Sequence, residues 1–263
     1  MNTYMASRIA GAAAALALLV PVAPASAQAL QGDSIPAPNG GPVIVHPMYH
    51  ATVVLSWNGK IIYVDPAPGP GSAQGATATA AFKGIPPANI ILVTDIHGDH
   101  FSAPTLAELA GPNTRIVAPQ AVVDEMPEPL KAKTTAVANG QTVTVDTIPI
   151  EGVPMYNITE DRLKFHNKGR GNGYVVNLGG LRVYVAGDTE AHPEMKALKS
   201  IDVAFVPMNL PYTMTPQQAA EGVLAFKPKI VYPYHYGDSD TAAFAKLVSA
   251  DPSIEVRQRN WYP

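Results

Sequence analysis

The stretch Ile90-Ile91-Leu92-Val93-Thr94-Asp95-Ile96-His97-Gly98-Asp99-His100-Phe101 decides how this chain is read. It begins with four apolar residues and a threonine, which suits a short buried strand. It then places Asp95, His97, Asp99 and His100 within six positions. The chain has 7 histidines in 263 residues, and two of them stand here. Imidazole nitrogens and carboxylate oxygens are good donors to borderline divalent metals. A strand holds the backbone rigid, and the loop after it can aim several side chains at one point. Gly98 is expected to let that loop turn tightly. The pattern predicts a metal site; the plain alternative is a polar strand-to-helix loop with chance histidines.

Composition narrows the rest. Hydrophobic residues make up 47% and charged residues 15%, with a formal net charge of −3. That is ample for one large core and too little basic charge for nucleic acid. With no cysteine, disulfides, thiolate metal sites and a cysteine nucleophile are all excluded. The 21 glycines and 26 prolines are scattered between apolar runs, which fits a loop-rich globular fold. There is no G-x-S-x-G elbow and no P-loop. Gly169 to Gly173 reads G-x-G-x-G, but no convincing helix follows it.

Residues 1–27 read as a secretory signal peptide. Arg8 precedes an apolar run from Ile9 to Val22, and Ala25-Ser26-Ala27 offers a small-residue cleavage site before Gln28. The run is short for a membrane span, so no stable membrane anchor is expected after cleavage. The mature protein is expected in a periplasm or secreted. Residues 28–42 are polar and Pro-rich, an extended lead-in to one domain over 43–263.

Within that domain, Thr52 to Trp57 and Lys60 to Val64 flank Asn58-Gly59, the strongest short hairpin signal. Leu181 to Ala186 follows a second hairpin at Gly179-Gly180 and leads into Gly187-Asp188-Thr189. Thr215-Pro216-Gln217-Gln218 carries a capping-box pattern and opens a helix to about Phe226. Ile230 to Tyr232 is a strand leading to His235. Two blocks emerge, each with strands followed by helices and with His or Asp at strand ends.

These motifs resemble the metallo-β-lactamase superfamily, in the branch of broad metal-dependent hydrolases that includes ascorbate-6-phosphate lactonase-like proteins. Asp65-Pro66, Asp95-Ile96-His97-Gly98-Asp99-His100, Gly187-Asp188-Thr189 and His235 match its motifs in order, from about Val43 onward. The resemblance implies an α/β fold, a four-layer αββα sandwich with metals at one edge. It also implies one or two divalent ions, Zn2+ first and Mn2+ or Fe2+ next. It assigns one ion to Asp99, His100, Asp188 and His235, and the other to His97, Asp188 and Asp95.

The chain departs from the family twice. Asp95 stands where the family has a first His, and Asn157 is nearest to the third-motif His. The resemblance implies a weaker, harder first site and hydrolysis of an ester, lactone, amide or phosphodiester of a small-molecule substrate. Asp99 would hold metal and orient the attacking water, and Asp188 would bridge the ions. Asp65 and Thr189 are candidates to fix the imidazoles.

Asn157 and several other residues are candidates for substrate or anion contact. His50 is expected either to face the site or to fill a polar corner. His166 is expected at the surface, with substrate contact or replacement of the missing imidazole as alternatives. Lys168 and Arg170, among Gly169, Gly171 and Gly173, suit an anion-binding loop or a solvated hairpin approach. His192 is expected at the surface, and His46 in a structural role. The alternative to an enzyme is a degenerate family member that binds metal without turnover.

Overall fold

In the computed structural model, the described residues are 1, 31–67 and 75–262. Met1 aside, the expected signal peptide lies outside them. The first half contains β1 (Asp33–Ile35), β2 (Val43–Tyr49), β3 (Thr52–Trp57), β4 (Lys60–Val64), β5 (Ile90–Leu92), β6 (Arg115–Ala118) and β7 (Thr134–Ala136). Helices α1 (Ala103–Leu109), α2 (Gln120–Glu125) and α3 (Glu128–Lys131) join its later strands. The second half contains β8 (Thr142–Val145), β9 (Ile148–Met155), β10 (Gly171–Leu178), β11 (Leu181–Val185), β12 (Val203–Pro207), β13 (Ile230–Tyr234) and β14 (Glu255–Val256). Its helices are α4 (Pro193–Lys196), α5 (Pro216–Phe226) and α6 (Thr241–Val248).

Each half forms one seven-stranded sheet, in the order β1 to β7 and, in the other, β14 to β8. In both, the opening strands run antiparallel and the last four are parallel. The two-block pattern in the sequence is therefore a repeated architecture.

Strand periodicity explains the layers. Val53, Leu55, Ile62, Val64, Ile90 and Leu92 face a core between the sheets, where Val183, Val185, Val203, Phe205 and Tyr232 meet them. The alternate residues Val54, Tyr63, Ile91 and Val93 face outward to Leu106, Val122 and Leu130. On the other side, Tyr184, Ala204, Val206 and Val231 face Ala219, Val223 and Phe244. Both faces of the central strands are buried, so they read as unbroken apolar runs. The result is the expected αββα sandwich.

The turn chemistry acts as the sequence suggests. Asn58 and Gly59 both have positive φ, as the primed hairpin turn between Trp57 and Lys60 requires. Thr215 Oγ1 accepts from the Gln218 amide at 3.1 Å, and Gln218 Oε1 accepts from the Thr215 amide at 3.0 Å. The lead-in is more than a tether: β1 pairs with β2 and buries Ile35 in the inter-sheet core. Among the described residues no helix is long and apolar enough to cross a membrane.

Candidate metal centre

Strand ends from both halves converge at one edge of the sandwich. Asp65 follows β4, Asp95 to His100 follow β5, Asp188 follows β11 and His235 follows β13. His50 sits in the tight turn between β2 and β3. Three of these residues have left-handed backbones: His50 (φ 52°), Asp65 (φ 43°) and His235 (φ 47°). Such conformations are uncommon for residues with a side chain and gather where function constrains the chain. Gly187 is also left-handed, and a Cβ there would lie 2.5 Å from Met155 Sδ. Gly98 does not have the expected role, since a Cβ there would meet no atom within 4 Å.

Asp99, His100, Asp188 and His235 bring their donor atoms together. His235 Nε2 lies 3.2 Å from both Asp99 Oδ2 and Asp188 Oδ1. His100 Nε2 lies 3.4 Å from Asp188 Oδ2 and 3.8 Å from Asp99 Oδ2. Donors about 2.0–2.2 Å from a shared tetrahedral ion would stand roughly 3.3–3.6 Å apart. The four separations, 3.2 to 3.8 Å, bracket that spacing, and the two made by His100 Nε2 are longer than an ordinary hydrogen bond.

Unmatched atoms show that the residues fit such an ion. His100 Nε2, His166 Nε2 and Asp188 Oδ1 are buried without a hydrogen-bond partner. Buried polar atoms are rarely left so. A divalent cation held by Asp99, His100, Asp188 and His235 would engage His100 Nε2 and Asp188 Oδ1. Burial opposes charge on Asp99 and Asp188, but the neighbouring imidazoles outweigh it and hold both carboxyls well below their ordinary range.

The surroundings fix the rings. Asp65 Oδ2 lies 2.8 Å from His100 Nδ1, and Thr94 donates to Asp65 through its amide (2.8 Å) and hydroxyl (2.6 Å). His100 Nδ1 therefore carries a proton, and Nε2 is the atom that would present a lone pair to a bound ion. His50 faces the centre. Its Nε2 lies 3.2 Å from Asp99 Oδ2, and its ring centroid is 3.7 Å from that of His235. Tyr262 Oη accepts from the Gly237 amide at 2.8 Å, leaving its own proton for His50 Nδ1 at 2.7 Å. His50 Nε2–H then donates to Asp99. Burial lowers the His50 pKa, favouring this neutral form.

Several expectations need correction. His166 is not a surface residue: it is 1% exposed. Its Nε2 lies 3.4 Å from Asp188 Oδ2 and 3.7 Å from Asp95 Oδ2. Its Nδ1 donates to Tyr212 O at 3.1 Å. Asn157 positions this ring; its Nδ2 donates to Tyr212 O (2.7 Å) and Arg162 O (3.0 Å) beside His166 Nδ1. Thr189 does not brace an imidazole. It accepts from the Tyr156 amide at 3.1 Å and donates to Tyr156 O at 2.9 Å, tying the loop after β11 to the end of β9.

Lys168 and Arg170 do not form a joint anion loop. Lys168 pairs with Glu194, whereas Arg170 pairs with Asp95. His192 is fully buried, accepting from the Met195 amide and donating to Pro154 O. His46 contacts Gln31 O, away from the cluster. His97 is 38% exposed, and its Nδ1 lies 2.8 Å from Asp95 Oδ2. Asp95, His97 and His166 form a second group of convergent donor atoms. His166 thus stands where the alternative reading placed it, beside the donors of the altered first site, rather than at the surface.

A model of the β-lactamase superfamily domain matches residues 45–235. A metal-dependent hydrolase of Pyrococcus abyssi is 31% identical over 217 residues, covering 79% of this chain and 92% of that protein. One from Thermococcus onnurineus is 33% identical over 207 residues, covering 75% and 88%. A crystal structure of a candidate metal-dependent hydrolase from Parabacteroides distasonis aligns with TM-score 0.77 and 40% identity, covering 87% of this chain and 98% of that one. Igni18, a metallo hydrolase of Ignicoccus hospitalis, shares the fold with TM-score 0.67 at 20% identity, covering 83% and 95%. With its sandwich and strand-end carboxylates and imidazoles, the chain belongs to the metallo-β-lactamase superfamily, alongside metal-dependent hydrolases.

Proposed function

We propose that this protein is an exported metal-dependent hydrolase that cleaves an uncharged ester, lactone or amide. The observation that carries the reading is the convergence of Asp99, His100, Asp188 and His235 around unmatched buried donor atoms. These four would hold one divalent ion. With two imidazoles and two carboxylates, Zn2+ suits the set best, and Mn2+ or Fe2+ next. Such an ion, when bound, lowers the pKa of water and polarises a carbonyl oxygen.

The protein's own groups do the rest. Asp99 is the most open member of the set, with a side chain 25% exposed. Its carboxylate orients the attacking water and receives a proton. His50 holds that carboxylate in place, and Tyr262 fixes the His50 tautomer. Asp188 faces both His100 and His166.

The adjoining cavity supports a carbonyl substrate. It measures about 620 Å³ and is lined by His50, four tyrosines (Tyr49, Tyr212, Tyr236, Tyr262), Asn209, Asn260 and Asp238. Its described lining holds no Lys or Arg. Phosphate recognition favours such cations, so a phosphodiester is the weaker candidate. A screen of neutral esters, lactones and amides against phosphodiesters, with zinc-loaded protein, tests this. Turnover confined to phosphodiesters would overturn the substrate class. Tight metal binding without turnover of any substrate would favour the binding-only alternative.

Export rests on Arg8, the apolar run and Ala25-Ser26-Ala27. Protein recovered from a periplasm or medium should begin at Gln28. An intact Met1 there would rule the proposal out.

A further inference from the structure

We infer that the Arg170 guanidinium stands in place of a second metal ion, so that the centre takes one ion tightly. The inference rests on the proposed metal set of Asp99, His100, Asp188 and His235.

The second group of donors is geometrically available. Asp95, His97 and His166 present atoms within 4.8 Å of one another, and His166 supplies the imidazole that the third motif lacks. Judged on donor count alone, this group would take an ion. Arg170 alters that. Its Nε donates to Asp95 Oδ1 at 3.1 Å and its Nη2 to Asp95 Oδ2 at 2.9 Å. This two-point fork engages both carboxylate oxygens at once.

The remaining contacts complete the cage. Asp95 Oδ2 also faces His97 Nδ1 at 2.8 Å, so His97 carries its proton there. His97 Nε2 is left with a lone pair, and Arg170 Nη2 lies 3.3 Å from it. Nη2 further donates to Phe165 O at 2.6 Å, which holds the guanidinium from the side of the incoming loop. The Arg170 side chain is mostly buried, at 19% exposed. Arginine stays charged at any working pH. A divalent ion entering this group would meet that fixed positive charge and would have to take Asp95 from it.

Carboxylate and guanidinium are therefore complementary here. Asp95 in place of a histidine needs a positive partner, and Arg170 provides one from the chain itself. Among the described residues, the neighbouring group has no arginine among its donors' hydrogen-bond partners, which leaves Asp99, His100, Asp188 and His235 for an ion.

The test is metal stoichiometry. Full-length mature protein is saturated with Zn2+, passed through gel filtration and measured by elemental mass spectrometry. Wild type should retain one ion per chain, Arg170→Met two, and Arg170→Met with His166→Ala one. Arg170→Lys, which keeps a positive charge, should retain one. Two ions in wild type would overturn this inference alone. A folded Arg170→Met protein that keeps one ion would also overturn it. No tightly bound ion in wild type would overturn the proposed function and this inference with it. If Arg170→Met fails to fold, Co2+-loaded wild type decides the matter by electron paramagnetic resonance. Isolated Co2+ supports the inference, and a spin-coupled pair overturns it.

Discussion

Asp65 Oδ2 and His100 Nδ1 stand 2.8 Å apart, although 35 residues separate them in the chain. Thr94 locks Asp65 from the other side through two donors. Asp65→Asn keeps the shape but replaces a carboxylate acceptor with an amide. Zn2+ affinity is expected to fall about 10- to 100-fold, read by competition with a chromophoric chelator. Unchanged affinity would show that Asp65 does not set the His100 tautomer.

His235 is the sole imidazole of the proposed set supplied by the second half of the chain. His235→Ala should lower metal affinity by about 100-fold or more, since a lost ligand costs more than a lost support. Hydrolysis should vanish with the metal. Full occupancy after dialysis would contradict the assignment.

Tyr262 acts one step further out. Tyr262→Phe removes the proton donated to His50 Nδ1 while leaving the ring in place. A hydrogen bond of this kind is worth about 1 kcal/mol, so kcat should fall by roughly fivefold to tenfold. Metal content should not change. Equal losses of kcat and metal would place Tyr262 in a purely structural role.

Asn157 stands nearest the family's third-motif His, yet its amide serves the backbone. Asn157→Ala strips a donor from the part-buried carbonyls of Tyr212 and Arg162. Stability should drop by about 1–3 kcal/mol in urea titration, with one Zn2+ retained. Loss of the ion from a folded variant would mark Asn157 as a ligand.

Metal-stripped protein should be most stable near pH 6.5, the ordinary histidine value. Burial would lower His100, but Asp188, Asp99 and Asp65 outweigh it and raise its pKa well above that value. The folded state then holds a proton that the unfolded chain releases, so this contribution is lost as pH rises through the folded pKa. Burial lowers His50, His166 and His192, so below pH 6.5 the unfolded chain takes up protons that the folded one resists. Stability should therefore fall on both sides. Thermal melts across pH 5–9 would show it, and a curve rising steadily above pH 7 would refute it.

The sandwich was legible because its signals are local. Asn58-Gly59 specifies a turn by its own backbone preferences, and Ile90 to Val93 is apolar because both faces of β5 are buried. Asp99, His100, Asp188 and His235, whose donor atoms converge, were legible because each sits within a few residues of a strand end. His166 and His192 were misplaced because each stands in a loop, where no strand or helix period announces burial. His166 is enclosed by Tyr212 and Asn157, and His192 by Pro154 and Tyr156. Partners so far away in the chain leave no mark on local periodicity. The pairing of Arg170 with Asp95 spans 75 positions and was equally hidden.

The proposed ligands divide evenly: Asp99 and His100 come from the first sheet's half, Asp188 and His235 from the second. An ion held between them is a crosslink in a chain that has no cysteine to form one. A covalent bridge closing a loop of about 100 residues would stabilise a fold by roughly 4–5 kcal/mol. Coordination gives a comparable gain when free metal exceeds its dissociation constant by about 1,000-fold. Such a staple is indifferent to the redox poise of its surroundings but yields to chelators. Metal supply would then set the protein's lifetime as well as its chemistry.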